Sequence, residues 1–326
     1  MGSSAMTNHM LASIDSPSID SIIFLGTGTS SCVPTIPCLT SSTRKCRVCL
    51  STLLPDGYKN IRKNTSVVVR FRNREGELKT ILIDCGKTFY DSALRVFPRH
   101  GIRKIDALIL THGHADAING LDDLRSWTLG GYVQNHIDIY LSQETMNTVE
   151  RAFTYLVDQS YATGGGDVAS FRYHIIDGAS PFMVEGAEFI PLPVHHGYII
   201  ASGEPFWSLG FRFLGISYIS DVSYIPPSTF DLMRDSKLIV LDALAMMPHA
   251  SHFSLPQAVE VVRKLKPERA YFVGFTHVMD HDETSKFLEK YDKEVRMRPA
   301  FDRLRVSYYE GQWGEDEGEQ KMNGIF

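Results

Sequence analysis

The chain has 326 residues, enough for one large layered α/β domain or two of average size, and its 43% hydrophobic and 22% charged residues are a globular composition. Lys and Arg number 33 against 38 Asp and Glu, a formal net charge of −5 that argues against a surface built to wrap a polyanion. No apolar run approaches the roughly 20 residues of a membrane-spanning helix, and no basic-then-apolar start marks a secretory signal.

Residues 1–20 are Ser-rich and aperiodic and read as a disordered leader; their lack of Arg counts against an organelle address without closing that alternative. The five cysteines (Cys32, Cys38, Cys46, Cys49 and Cys85) are an odd number without a signal peptide. That favours a reducing, cytoplasmic setting over a disulfide framework. Three of them crowd into residues 38–49 at metal-site spacing, whereas Cys85 and Cys32 suit the role of small buried hydrophobes.

In chain order, "SIIFLGTGTS" (21–30) predicts a strand entering a Gly/Ser/Thr loop. "NTSVVVRFRN" (64–73) and "LKTILIDCG" (78–86) predict strands joined by a polar hairpin. "TFYDSALRVFPRHG" (88–101) has helical spacing and a glycine stop. "KIDALILTHGH" (104–114) is strand then loop, and "DAINGLDDLRSW" (116–127) starts a helix. The strand "IDIYLS" (137–142) precedes an amphipathic helix over 143–157, and "ATGGGD" (162–167) is a flexible break. Four β-rich segments follow, "FRYHII", "AEFIPLPVHHG", "FWSLGFRFLG" and "ISYISDVS". The strand "SKLIVLDAL", the helix "SLPQAVEVVRKLK", the strand "RAYFVGFTH" and a helix over 282–295 complete the pattern. Residues 310–326 are acidic, Gly-rich and read as a loose tail. No repeat or linker splits residues 21–309, so a single four-layer αβ/βα sandwich is expected, its site where strand ends converge. "GTGTSS" lacks the third glycine and the following helix of a dinucleotide fingerprint.

Chemistry concentrates at strand ends, where a rigid sheet fixes side-chain geometry. Asp84 closes "ILID", His112 and His114 follow "LILT", His196 follows "FIPLPV", Asp221 follows "SYIS" and His277 follows "YFVGFT". In an extended HxH the two imidazoles point the same way and can reach one cation, and Asp116 lies two positions further.

This series resembles the five motifs of the metallo-β-lactamase fold superfamily across residues 21–305. Within it the chain looks most like the cyclic-phosphate phosphodiesterase branch of phosphonate breakdown. The shared features are "GTG", an early Cys cluster, "PLP" before the third motif, "SD" and "TH". The resemblance implies metal one on His112, His114, His196 and Asp221, and metal two on Asp116, Asp221 and His277. Asp84 would then orient a ligand histidine. Aligning "PLPVHHG" favours His196 over His195, which strand alternation puts on the opposite face.

The family writes HxHxDH, but here the last position is Ala117, so metal two should be weakened, replaced by an oxygen-preferring ion, or absent. Asp122 and Asp123 are candidate substitute carboxylates. His252, ahead of the helix "SLPQAV", matches the branch's leaving-group acid better than His249 does. A structural zinc would sit on Cys38, Cys46, Cys49 and His281, although Cys38 and Cys46 stand farther apart than in the branch.

The expected activity is metal-dependent phosphodiester hydrolysis, with zinc in the structural site and at metal one and zinc or manganese at the second position. The expected partner is a small phosphodiester or nucleotide-like substrate, with no membrane, nucleic acid left open and a homodimer allowed. Rival readings are a tRNA 3′-processing endonuclease, a glyoxalase-type thioesterase and a non-catalytic metal-stabilised binding protein. "YATGGGDVAS" carries no Lys or Arg, unlike a basic RNA-holding arm.

Overall fold

The computed structural model describes residues 16–162 and 168–317. The first sheet is built from β1 (Ser18–Gly26), β2 (Ser66–Arg72), β3 (Leu78–Ile83), β4 (Ala107–Ile109), β5 (Ile137–Ser142), β6 (Phe171–Ile176), β14 (Arg305–Tyr309) and β15 (Gln312–Asp316). Its order is β15-β14-β1-β2-β3-β4-β5-β6. The second contains β7 (Phe182–Val184), β8 (Ala187–Tyr198), β9 (Pro205–Phe213), β10 (Ile216–Ile219), β11 (Leu238–Asp242), β12 (Arg269–Val273) and β13 (Arg296–Pro299), in the order β13-β12-β11-β10-β9-β8-β7. Antiparallel hairpins and meanders give way in both sheets to parallel runs, β3 to β6 and β10 to β13.

Strand periodicity of two builds the layers. On β2, Val67, Val69 and Phe71 face the core between the sheets, while Val68 turns to the helices outside. On β11, Leu238 and Val240 face the same central core, and Ile239 and Leu241 pack under the helix Leu255–Leu265. Both faces of each sheet are therefore apolar and covered, which is why these strands read as near-continuous hydrophobic runs. The helix Phe89–Val96 covers the first sheet through Phe89, Ala93 and Val96. The result is helix, sheet, sheet, helix: the expected four-layer sandwich.

Some boundaries differ from expectation. β1 begins at Ser18, inside the stretch read as a leader, because Ser18 and Ile19 pair with Arg72 and Phe71. β15 occupies most of the described part of the expected tail, and Trp313 buries itself there against Tyr308. Residues 1–15, 318–326 and most of "ATGGGD" lie outside the described residues. The expected helix over 143–157 breaks at Phe153, whose φ/ψ of −136°/53° is non-helical, into Gln143–Ala152 and Thr154–Val157. The segment 116–127 folds as short turns, Ala115–Ile118, Leu121–Leu124 and Arg125–Thr128, rather than one helix.

Candidate metal centre and active-site pocket

The C-terminal ends of the parallel strands of both sheets converge on one edge of the sandwich, where open α/β sheets place their ligands. Past the end of β4, Thr111 and His112 are buried, and His114 stands at the N-terminus of the short turn Ala115–Ile118. His196 comes from β8, where the register against β9 is irregular between His195 and Tyr198. Asp221 follows β10, and Asp242 is the last residue of β11.

These positions bring His112, His114 and His196 together with one ring nitrogen each, all within 4.8 Å of one another. Hydrogen bonds fix which nitrogens face inward. His196 Nδ1 donates to the Ser251 carbonyl at 2.8 Å; a carbonyl can only accept, so the lone pair is on Nε2. His112 Nδ1 meets the Thr111 hydroxyl at 2.8 Å, and its Nε2 is buried without a partner. An orphaned imidazole nitrogen aimed at two others is the donor set of a divalent cation, so the residues fit a metal. Burial pushes the His112 pKa down to about 3, keeping it neutral and able to ligate. Phe206 stacks on His114 with centroids 4.6 Å apart and planes 3° from parallel.

Asp84 touches Thr111 rather than a histidine. It accepts from the Thr111 N–H at 2.9 Å and from the Thr111 hydroxyl at 3.0 and 2.9 Å. Asp84 reaches a histidine only through a relay: with Asp84 ionised, the hydroxyl gives it its single proton and must accept Nδ1–H from His112. Complete burial pushes the Asp84 pKa up from its ordinary value, Asp221 and Asp116 add to this and the Thr111 bonds oppose it; a cation on the neighbouring histidines would favour the ionised form that the relay uses.

Asp221 Oδ1 lies 4.0 Å from His196 Nε2 and 3.9 Å from His252 Nδ1. Burial works against its charge, but His112, His196 and His252 hold its carboxyl below the ordinary value. His252 Nδ1 is bonded to Asp242 at 2.8 Å. Burial lowers the His252 pKa, and the Asp242 carboxylate with Asp221 and Asp116 outweighs it, lifting it to about 9. His249 stays on the outer side, exposed and bonded to Ser251. His195 turns away from the cluster onto Trp207 and Tyr224, as strand alternation predicts.

His277 is a correction. It stands with Cys38, Cys46 and Cys49, not with the active-site histidines. Its Nδ1 is 3.4 Å from Cys38 Sγ and 3.3 Å from Cys46 Sγ. A tetrahedral zinc with bonds of ~2.3 Å to sulfur and ~2.0 Å to nitrogen sets such edges near about 3.5 Å, so the four donors fit a structural ion. All three cysteines expected there take part. His281, expected as the fourth ligand, starts the helix His281–Leu288 instead; its N–H bonds Asn60 and its ring packs edge-on to Phe301. Burial lowers the His281 pKa to about 3. Asp122 is not a substitute ligand either, since it accepts the Tyr155 hydroxyl at 2.9 Å, and Asp123 joins no donor group among the described residues.

Asp116 and Ala117 line a chamber of about 10 Å³ with Asp84, Asp221 and Gly274. On the other side of His112 and His114 a cleft of about 850 Å³ opens between Thr145, Thr148 and Arg151 on one wall and Phe206, Trp207 and Leu209 on the other. Sequence reasoning missed Thr111, Asp242 and Phe206. A signal for Asp242 was present: "LIVLD" ends an apolar strand in aspartate just as "ILID" does.

The family model described as the beta-lactamase superfamily domain matches residues 79–275, more than half of the chain. A solved structure described as a new diphosphatase from the PhnP family is 31% identical, covers 90% of this chain and 98% of its own, and superposes with a TM-score of 0.73. Zn²⁺-bound PqqB from Methylobacterium extorquens, at 15% identity and a TM-score of 0.64 over 88% of this chain and all of its own, shares the fold. So does short-form human tRNase Z, at 16% and 0.56 over 88% and 98%. A curated protein named octanoyltransferase from Porphyromonas gingivalis (strain ATCC BAA-308 / W83) is 26% identical over 258 residues, 78% of this chain. The chain spans only 46% of that relative's length.

Proposed function

The chain belongs to the beta-lactamase superfamily of hydrolases, and from that membership we propose that it hydrolyses phosphodiester bonds at a metal on His112, His114, His196 and Asp221. The observation that carries the reading is the convergence of three imidazole nitrogens, one of them buried and orphaned, beside a carboxylate at the mouth of a cleft. A divalent cation held there, zinc in our reading, supplies Lewis acidity toward a phosphoryl oxygen and hydroxide at neutral pH. The choice of phosphorus is supported by the 31% identical PhnP-family diphosphatase, which matches along nearly its whole length. The octanoyl transfer named for the longer relative belongs to a protein of which the matched region is only 46%.

The chain's own residues divide the work. Thr111 and the Ser251 carbonyl hold the His112 and His196 rings in their ligating tautomers. Asp242 grips His252 by Nδ1, leaving Nε2 as its free nitrogen. Protonated at neutral pH, His252 donates to the leaving alkoxide, which departs poorly without a proton. In the cleft, Arg151 and the threonine hydroxyls suit a phosphate group, and Phe206 and Trp207 offer a face to a flat or apolar substituent. The Cys38, Cys46, Cys49 and His277 cluster takes a structural zinc.

A second reading has a specific basis, because ligand atoms of His252, His196 and Asp221 also lie within 4.8 Å of one another, so His252 could itself be a ligand. One experiment separates the roles and tests the function. Purified protein is assayed on bis(p-nitrophenyl) phosphate, a dialkyl phosphodiester that can release only an alcohol, and an octanoyl thioester, with wild type and His252→Ala side by side. We expect turnover of both phosphodiesters, little of the thioester, and a loss of about 10²–10⁴-fold in the variant confined to the poor leaving group, with metal content unchanged. Preferential thioester cleavage would refute phosphodiester specificity, and loss of the active-site metal in the variant would make His252 a ligand.

A further inference from the structure

The chamber beside Ala117 carries an inference that rests on the metal centre proposed above but concerns how many ions it holds. A second cation next to the first would have to find its donors there. Asp84 is committed, since both its oxygens accept from Thr111. His112 and His196 each have one free nitrogen, and those converge with His114, where the first ion would take them. His277, the imidazole expected for the second ion, is held by the cysteine cluster. What remains is Asp116, a share of Asp221, and His252, whose Nδ1 stands 3.9 Å from Asp221 but is already bonded to Asp242 at 2.8 Å and whose Nε2 is assigned above to the leaving group. A second ion would thus find two uncommitted carboxylates where a protein-held ion generally takes three or four protein ligands.

The walls say the same. Three of the chamber's lining residues, Gly28, Ala117 and Gly274, have no side-chain donor. Gly274 lies just past the end of β12 with φ of +80°, and a Cβ built on it would come within 2.3 Å of Asp242 Oδ1. No side chain can reach into the chamber from that strand end while Asp242 holds His252. Asp242 itself does not line the chamber. Ala117 is buried with its N–H bonded to the His114 carbonyl, and its own carbonyl takes the Cys85 N–H. The free volume of about 10 Å³ accommodates about one water.

We infer that the active site is mononuclear, with one ion on His112, His114, His196 and Asp221, and that the second position has been rebuilt as a small acidic chamber rather than merely stripped of one ligand. The described residues therefore hold two metal ions in this reading, one catalytic and one on the cysteine cluster.

Metal counting tests this without reference to activity. Native mass spectrometry of zinc-loaded protein reads total equivalents per chain. Cobalt titration of stripped protein separates the sites, because only the cysteine cluster gives thiolate-to-cobalt charge-transfer bands in the near ultraviolet. Manganese electron paramagnetic resonance reports whether two ions lie close enough to couple. We expect two equivalents, one with thiolate bands and one without, and an uncoupled manganese signal. Three tight equivalents or an exchange-coupled manganese pair would overturn the inference while leaving the hydrolase reading standing. A single equivalent, with thiolate bands only, would overturn both. Ala117→His adds a further arm. If the chamber is rebuilt, the variant still binds two equivalents, whereas a third ion bound as tightly as the first would show that only that one ligand was missing.

Discussion

Replacing Thr111 by valine is the sharpest probe of how the metal centre is held. Valine keeps the branched shape but deletes the hydroxyl that stands between Asp84 and His112. The Asp84 carboxylate then loses its contacts at 3.0 and 2.9 Å and keeps only the backbone N–H at 2.9 Å, while His112 Nδ1 loses its partner at 2.8 Å. Asp84 and His112 are both fully buried, so neither recovers the bond from solvent. Leaving buried polar groups unpaired costs about 1–3 kcal/mol, and loss of a partner that orients a ligand histidine typically costs about 10–100-fold in metal affinity. The measurements are urea unfolding of metal-free protein and competition for zinc with a chromophoric chelator. Thr111→Ser should retain most of both properties, since it keeps the hydroxyl. Unchanged zinc affinity in the valine variant would refute the relay and leave Thr111 a packing residue.

Three further outcomes follow from the geometry. Cys49→Ser should remove one metal equivalent and lower the melting temperature, since structural zinc contributes folding free energy directly; full zinc content and stability would rule out a structural ion on that cluster. The His252 pKa is raised to about 9 in the fold, so its pairing with Asp242 stabilises the chain fully below about pH 6.5 and is lost as pH rises through about 9. Metal-stripped wild type should therefore lose up to roughly 3 kcal/mol relative to His252→Gln across that window, and parallel pH profiles would contradict the ion pair. Gly274→Ala should destabilise by about 2 kcal/mol or more, because it combines a positive φ with a Cβ forced against Asp242; denaturant midpoints equal to wild type would show that the loop relaxes freely.

The sandwich was legible because both sheets obey a period of two and end in polar residues that an ordinary strand would not carry. His112, His114, His196 and Asp221 could be found by that strand-end signal alone. His277 and His281 could not be sorted in the same way. They are four positions apart at a turn entering a helix, and which one meets the cysteines depends on how the chain leaves β12. Asn60, distant in sequence, fixes that path by accepting the His281 N–H and donating to Asp280. Thr111 was hidden for a different reason: a threonine beside a histidine carries no pattern until Asp84 is seen to reach it across neighbouring strands. The expected tail failed because its glycines outweighed a hairpin cue. Glu310 and Gly311 both adopt positive φ, as a two-residue turn requires, and Trp313 repays the strand by burial.

The cysteine cluster joins positions far apart in the chain, since His277 lies 239 residues from Cys38 and 231 from Cys46. Every strand from β2 to β12 lies inside the loop so closed, and with an ion in place the cluster is a cross-link across most of the polypeptide. A cut at any exposed turn within that loop would leave two fragments still tethered through the metal. Such a nicked chain would run as one species on a native gel and come apart only when chelator and denaturant are added together. Resistance to proteolytic fragmentation would then follow the zinc supply rather than the integrity of the backbone.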